Sequence, residues 1–386
     1  MKLLYHHRTQ AEDGQAVHIR SLIEAFKAER HEVCEVALVQ RGNAEAPPVT
    51  APDEKGGWDW IGRVPRFVRE LAEYGYTIPA RGRLLKAARE FRPDFLYERY
   101  AFGCAGGVQA AARLNIPLML EVNSPMVLEL SRTRGLSFPR FARRVENSIF
   151  RRAQRVCVVT AVLGEMLVEL GVERERLVVT PNGVHPQLYA NPDRTAARAD
   201  LGLTEVEGSV LGFVGYYRDW HRLDLVIEGL RDAGLQKAHL VLIGNGPVED
   251  ELREKARVAG VGERVHFAGR RAHHQIPSLL PAFDVALIPA INPYASALKL
   301  HEYMAAGLPV VAPDQPNLRE VLTNGDNGVL VTPGDGDALC DALRRLVQDA
   351  GLRERLGERA RASIVEQELT WTGNVRRVVK ALEPIR

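Results

Sequence analysis

The chain has 386 residues, 46% hydrophobic and 26% charged, with a formal net charge of +2 at neutral pH. That balance is ordinary for a globular protein, leaves room for two domains, and argues against a general nucleic-acid binder. Cys34, Cys104, Cys157 and Cys340 form no CxxC pair and sit in apolar surroundings, so they read as reduced thiols of a cytoplasmic protein, not as a zinc site or a disulfide framework.

The opening "MKLLYHHRTQ" has only a three-residue apolar run, too short for a signal peptide, and no later run approaches a membrane span. "KLLYH" reads as a strand ending at His6 and His7, for which no further metal ligands are apparent. A polar loop with Gly14 follows, and then "AVHIRSLIEAFKAERH" places Ile19, Leu22, Ile23 and Phe26 on one helical face. Arg41 to Gly62, rich in Pro, Gly and Ala, reads as a mobile loop. "EVCEVALV", "DFLYE", "PLMLEV", "RVCVVT" and "RLVVT" read as strands separated by helical segments. Glu98 and Arg99 close the "DFLYER" stretch, and Asn123 follows "PLMLEV". "PRFARRVENSIFRRAQR" is a basic amphipathic helix, with Phe141, Val145 and Ile149 recurring among Arg140, Arg143, Arg144, Arg151, Arg152 and Arg155. Two readings fit it: a core-facing helix with a solvated arginine face, or a peripheral contact with an anionic membrane or acceptor. Thr180 to Arg194 carries NG and NP turn signals and marks the domain boundary, with domains expected over 1–188 and 189–368.

The second half repeats the alternation in "SVLGFVG", "HLVLIG", "RVHFAG", "DVALIPA", "PVVAP" and "GVLVT". The expected fold is α/β, two doubly wound Rossmann-like domains facing across a cleft lined by the loops beyond the strand ends. Gly215 turns the chain after "GFV", and Arg218, His221 and Arg222 cluster beyond it, the arginines offering donor forks for phosphate. Gly244, Asn245 and Gly246 allow close approach of a flat ligand. In "SALKLHEYMAAGLPVVAP", Ser296 reads as the N-cap of a helix over Ala297 to Ala306, with Gly307 just past its end. Lys299 and Glu302 share one face of that helix. They suit a phosphate near the helix start and hydroxyls a turn deeper, or they form an ordinary surface pair.

In order, these segments resemble the retaining glycosyltransferases of the GT-B fold, family 4, over nearly the whole chain. "DGQAVHIRSLIEAFKAERHEV" is similar to the family's first loop and helix, "VVTPNGVH" to its inter-domain turn, and "FVGYYRDWHRLDLVIEGL", "LVLIGNGP" and "VHFAGR" to its donor-domain strands. "KLHEYMAAGLPVVAPDQPNLREVL" with "NGDNGVLVTPGD" is the most specific part. "LTWTGNVRRVVKAL" resembles a closing helix, 369–386, that packs back on the first domain. The resemblance implies transfer of a sugar from a UDP- or GDP-linked donor to an acceptor hydroxyl, with retention, and with no cofactor or metal. It assigns donor binding to Gly14, Gly215, Asn245, Gly246, Arg270, Ser296, Ala297, Leu298 and Glu302. Arg218, Lys299 and Asn123 are the catalytic candidates, and His18, Glu98 and Arg99 fall on the acceptor side. The expected partners are a nucleotide sugar and a small-molecule or lipid-linked glycan acceptor, with no nucleic acid. Three positions depart from the family pattern. Tyr294 stands where a first glutamate is usual, Tyr216 and His221 stand near the usual Arg and Lys, and Asn123 replaces a histidine. An epimerase acting on sugar nucleotides and a silent sugar-nucleotide binder stay open beside the transferase.

Overall fold

The structure, a computed structural model, describes residues 1–9, 14–37 and 65–383. The loop expected over Arg41 to Gly62 lies outside the described residues. The chain divides into two compact units, Met1–Thr180 with Val375–Arg386, and Pro181–Asn374. Each is a parallel sheet of six described strands covered by helices, the α/β architecture that the strand–helix alternation predicts.

The first unit contains β1 (Lys2–His7), β2 (Glu32–Ala37), β3 (Phe95–Arg99), β4 (Leu118–Val122), β5 (Arg155–Val158) and β6 (Leu177–Val179), in the order β2-β1-β3-β4-β5-β6. Of its two central strands β3 is buried except at Arg99, and β4 is "LMLEV" with every residue buried, Glu121 included. The Pro139–Arg152 helix spends its inner face on the core through Ala142, Ile149 and Phe150, while Phe141 stays exposed among the arginines. The end of the Trp371–Leu382 helix belongs to this unit, where Arg376 pairs with Glu29 at 3.1 Å. All four cysteines are free thiols. Among the described residues no helix is long and apolar enough to cross a membrane.

The second unit contains β7 (Val210–Val214), β8 (His239–Ile243), β9 (Val265–Gly269), β10 (Val285–Leu287), β11 (Val310–Pro313) and β12 (Val329–Val331), in the order β12-β11-β10-β7-β8-β9. Alternate residues serve opposite faces of this sheet. Val210, Val241, Ala286 and Val310 join one buried cluster, while Leu211, Leu240, Val285 and Val311 join another. A sheet buried on both sides is why its strands read as continuous apolar runs.

Gly212, mid-strand in β7, is where the ring of Phe283 packs; a Cβ there would lie 2.0 Å from Phe283 Cδ2. Gly212→Ala should therefore lower stability by about 1–3 kcal/mol through overpacking. Urea denaturation of both forms checks this, an unchanged midpoint being the contrary result.

Candidate functional site

In an open parallel sheet, ligands bind beyond the carboxyl ends of the strands, where the order of connection reverses. In the second unit that point lies between β7 and β10. The turn at Gly215 leaves β7 there, and the segment leading to the Leu298–Ala305 helix leaves β10.

These two segments meet. Gly215 adopts φ +148°, and a Cβ on it would come 2.6 Å from the Lys299 Nζ. The backbone there favours glycine, and the missing side chain leaves room for the ammonium where it lies. Nζ lies 3.8 Å from the centroid of the Phe213 ring. Burial pushes the Lys299 ammonium down to about 7, against the opposing pull of Glu302. A cation held there against a ring face, with no carboxylate at salt-bridge distance, is poised for an anion.

Of the expected basic cluster in the turn, one cation stays available. His221 is buried edge-on to Phe213, ring centroids 5.1 Å apart. Burial, with the charges of Lys299 and Arg218, pushes its imidazole down to about 3, so it is neutral. Arg222 is spent on Asp224 through two contacts of 3.1 and 3.2 Å. Arg218 is exposed, its guanidinium 4.8 Å from the Tyr216 ring centroid.

The helix start corrects one expectation. Ser296 is not the N-cap; the helix runs Leu298–Ala305 with Ala297 as its cap residue and no side-chain cap. The Ser296 hydroxyl instead accepts the Asn182 amide N–H at 3.0 Å, and its carbonyl accepts from Asn182 Nδ2 at 2.7 Å. Asn182 thus removes the serine that would have capped the helix, and leaves the first-turn amides to another acceptor. Asn317 Nδ2 steadies the preceding stretch by donating to the carbonyls of Asn292 and Ala295 at 3.2 and 2.8 Å. Tyr294, in that stretch, is buried.

Deeper in the helix, Glu302 is 4% exposed, and its Oε1 lies 2.6 Å from His273 Nε2. Tyr303 takes the Val214 amide N–H at 2.8 Å on its hydroxyl. The neighbouring strand ends complete the edge. Asn245 accepts the Tyr217 N–H at 2.7 Å on its carbonyl, Gly246 lies against the Tyr217 backbone, and Arg270 is exposed just past β9.

The first unit gathers a second polar cluster at its own strand ends. Glu121 is 1% exposed and accepts from Tyr97 Oη at 3.0 Å, Asn123 Nδ2 at 2.5 Å and Arg99 Nη1, with His18 Nε2 at 3.2 Å. Burial alone would raise its carboxyl, but His18 and Arg99 outweigh that and hold it well below the usual carboxylate range. Three of the expected residues, His18, Arg99 and Asn123, are therefore organised by one carboxylate. Glu98 points elsewhere, to His6 Nδ1 at 2.6 Å and the Gly107 amide at 3.1 Å. Gly14 opens the Gly14–Ala28 helix in open space. Among the described residues no group of three or more His, Cys, Asp and Glu is placed to hold a metal ion.

Sequence reasoning missed Glu121, His273 and Asn182. Glu121 had a signal: a carboxylate inside an otherwise apolar central strand must find partners. His273 and Asn182 had none, because their partners are distant in sequence.

The comparisons with known proteins agree with this layout. The "Glycosyltransferase Family 4" family matches residues 13–188, and "Glycosyl transferases group 1" matches residues 194–363. The chain belongs to the group 1 glycosyltransferases. A D-inositol 3-phosphate glycosyltransferase of Nocardia farcinica is 32% identical over 227 residues, covering 56% of this chain and 49% of that protein. A 2-deoxystreptamine glucosyltransferase of Streptomyces kanamyceticus is 29% identical, over 53% and 54% of the two chains. The match thus spans about half the length of these relatives. The Anabaena HepE protein, solved in complex with UDP, superposes with a TM-score of 0.74 over 100% of both chains at 19% identity, a likeness of fold. The two sheets are accordingly those of the GT-B glycosyltransferases.

Glu121 offers a test that needs no substrate. Its carboxyl is depressed in the folded state, so it adds stability above its unfolded value of about 4.3 and loses that contribution as pH falls through and below it. Glu121→Gln should be destabilised at neutral pH, and its deficit against the wild type should shrink in acid. Chemical denaturation at several pH values measures this; a deficit constant with pH would mean that Glu121 is not held ionised.

Proposed function

We propose that the protein is a retaining glycosyltransferase that uses a UDP- or GDP-linked sugar and needs no divalent metal. The observation that carries this reading is the Lys299 ammonium beside Gly215, next to a helix start with no side-chain cap. The amides and dipole of that helix suit the diphosphate, but contribute only about 0.3–1 kcal/mol to each nearby charge. Lys299 and Arg218 supply the remainder as the leaving diphosphate gains charge. Glu302 accepts from the ribose hydroxyls, while Asn245, Gly246 and Arg270 border the base. The UDP bound in the HepE structure supports a nucleotide diphosphate ligand.

Chemistry follows from what is charged. The departing phosphate oxygen takes the proton of the acceptor hydroxyl on the same face of the sugar, so configuration is kept without a strong protein base. Asn123 fits that economy, since an amide orients a hydroxyl but shuttles no proton. With Nδ2 committed to Glu121, its carbonyl oxygen is the group left for a sugar hydroxyl. His18 and Arg99 hold the acceptor side from the same cluster. Relatives named for inositol phosphate and deoxystreptamine support an acceptor rich in hydroxyls.

A lipid-linked acceptor is a finer possibility within this proposal. Phe138 and Phe141, 40% and 50% exposed, stand among Arg140, Arg143 and Arg144, and would meet an anionic bilayer peripherally. Cosedimentation should show binding to anionic vesicles at low salt that is lost at high salt. No binding at low salt leaves the arginine face merely solvated.

The transfer itself is tested with a panel of UDP- and GDP-sugars and polyol acceptors, with product stereochemistry read by NMR. Activity should survive EDTA, and Arg218→Ala and Lys299→Met should each lower turnover by about 10²-fold or more. Loss in EDTA restored by Mn²⁺ overturns the metal-free mechanism. Isomerised sugar nucleotide without transfer would mark an epimerase.

A further inference from the structure

Glu302 and Lys299 stand three residues apart on the Leu298–Ala305 helix, a spacing at which opposite charges pair. Here they do not pair with each other. Glu302 Oε1 accepts from His273 Nε2 at 2.6 Å, and the Lys299 ammonium lies over the Phe213 ring. His273 comes from a different part of the unit, the short helical turn His273–Gln275 beyond β9. Glu302 is nearly closed from solvent, whereas the His273 side chain is 40% exposed, so the histidine reaches in from the rim.

We infer that His273 is a positioning residue that sets recognition of the ribose, holding the Glu302 carboxylate off Lys299 and turned toward the 2′- and 3′-hydroxyls. This rests on the donor reading given above. A glutamate has three side-chain torsions, and a vicinal diol is read well only when both carboxylate oxygens face it. The contact at Oε1 restrains the carboxylate and leaves Oε2, with the second lone pair of Oε1, for the two hydroxyls. Without it, the nearest cation on its own helix face is Lys299. A Lys299–Glu302 pair would take the acceptor from the ribose and the cation from the diphosphate together. One side chain at the rim therefore keeps two binding groups separately available.

The test compares Kd for UDP and 2′-deoxy-UDP, and for GDP and 2′-deoxy-GDP, by calorimetry. The proteins are the wild type, His273→Ala, His273→Asn, His273→Gln and Glu302→Ala, each checked for an unchanged melting temperature. The wild type should prefer the ribonucleotide by at least about tenfold, the loss of one hydrogen bond to a charged acceptor. His273→Ala and His273→Asn should lose most of that preference, because neither places a donor where Nε2 stands. His273→Gln should keep it, since its amide nitrogen reaches the same place. A purely structural histidine would weaken both nucleotides equally and leave the ratio alone. If His273→Ala and His273→Asn discriminate like the wild type while Glu302→Ala does not, the inference is wrong and the donor reading stands. If Glu302→Ala also discriminates like the wild type, if the wild type binds both sugars equally, or if no nucleotide binds, the assignment of Glu302 to the ribose fails and takes the inference with it.

Discussion

The Tyr303 hydroxyl takes the Val214 amide at 2.8 Å, and through it the Leu298–Ala305 helix is fastened to the end of β7. That amide belongs to the last residue of β7, past the final β7–β10 pair at Gly212, whereas the next amide, of Gly215, still donates to the Ile243 carbonyl of β8 at 2.9 Å. An unpaired N–H there would cost about 1–3 kcal/mol. A side chain from the helix after β10 meets the need, and so fixes the two segments that flank the switch point of the sheet. The closeness of Lys299 to Gly215 follows from this fastening, as does the reach of Glu302 toward His273.

Both units solve the same electrostatic problem in opposite ways. In the first, the buried charge is an anion, Glu121, and the fold surrounds it with His18, Arg99, Asn123 and Tyr97 until it is held firmly ionised. Nothing more is needed to keep that charge stable, and its partners are thereby oriented. In the second, the enclosed charge is a cation, Lys299, and it gets a ring face and a distant carboxylate instead of a contact partner. Desolvation is left partly uncompensated, which is the condition for a ligand anion to improve matters. Stability favours the first arrangement and binding favours the second.

The basic helix shows how a pattern reads when its two faces have separate fates. Its repeat of apolar residues signals burial, and Ile149 is indeed in the core; Phe141, in the same series, is not. Arginine-rich flanks do not say which apolar residue faces inward, because a helix turned by one position meets the same composition with a different side.

Strand and helix alternation, the Gly215 turn and the Lys–Glu spacing were legible in the residues alone, because each is a local property: period, backbone freedom, helical pitch. They determined two parallel α/β units and a family likeness that the comparisons bear out. What the sequence could not decide was who partners whom. Ser296 had the right type and position for a cap, but it accepts instead from Asn182, more than a hundred residues earlier, and the helix start has no side-chain cap. His221 and Arg222 looked like phosphate-binding cations until burial neutralised one and Asp224 engaged the other. Glu302 gained His273, and three scattered polar residues gained Glu121. Hydrogen-bond and charge energies depend on distance and burial, and both are set when strands far apart in the chain come to lie side by side.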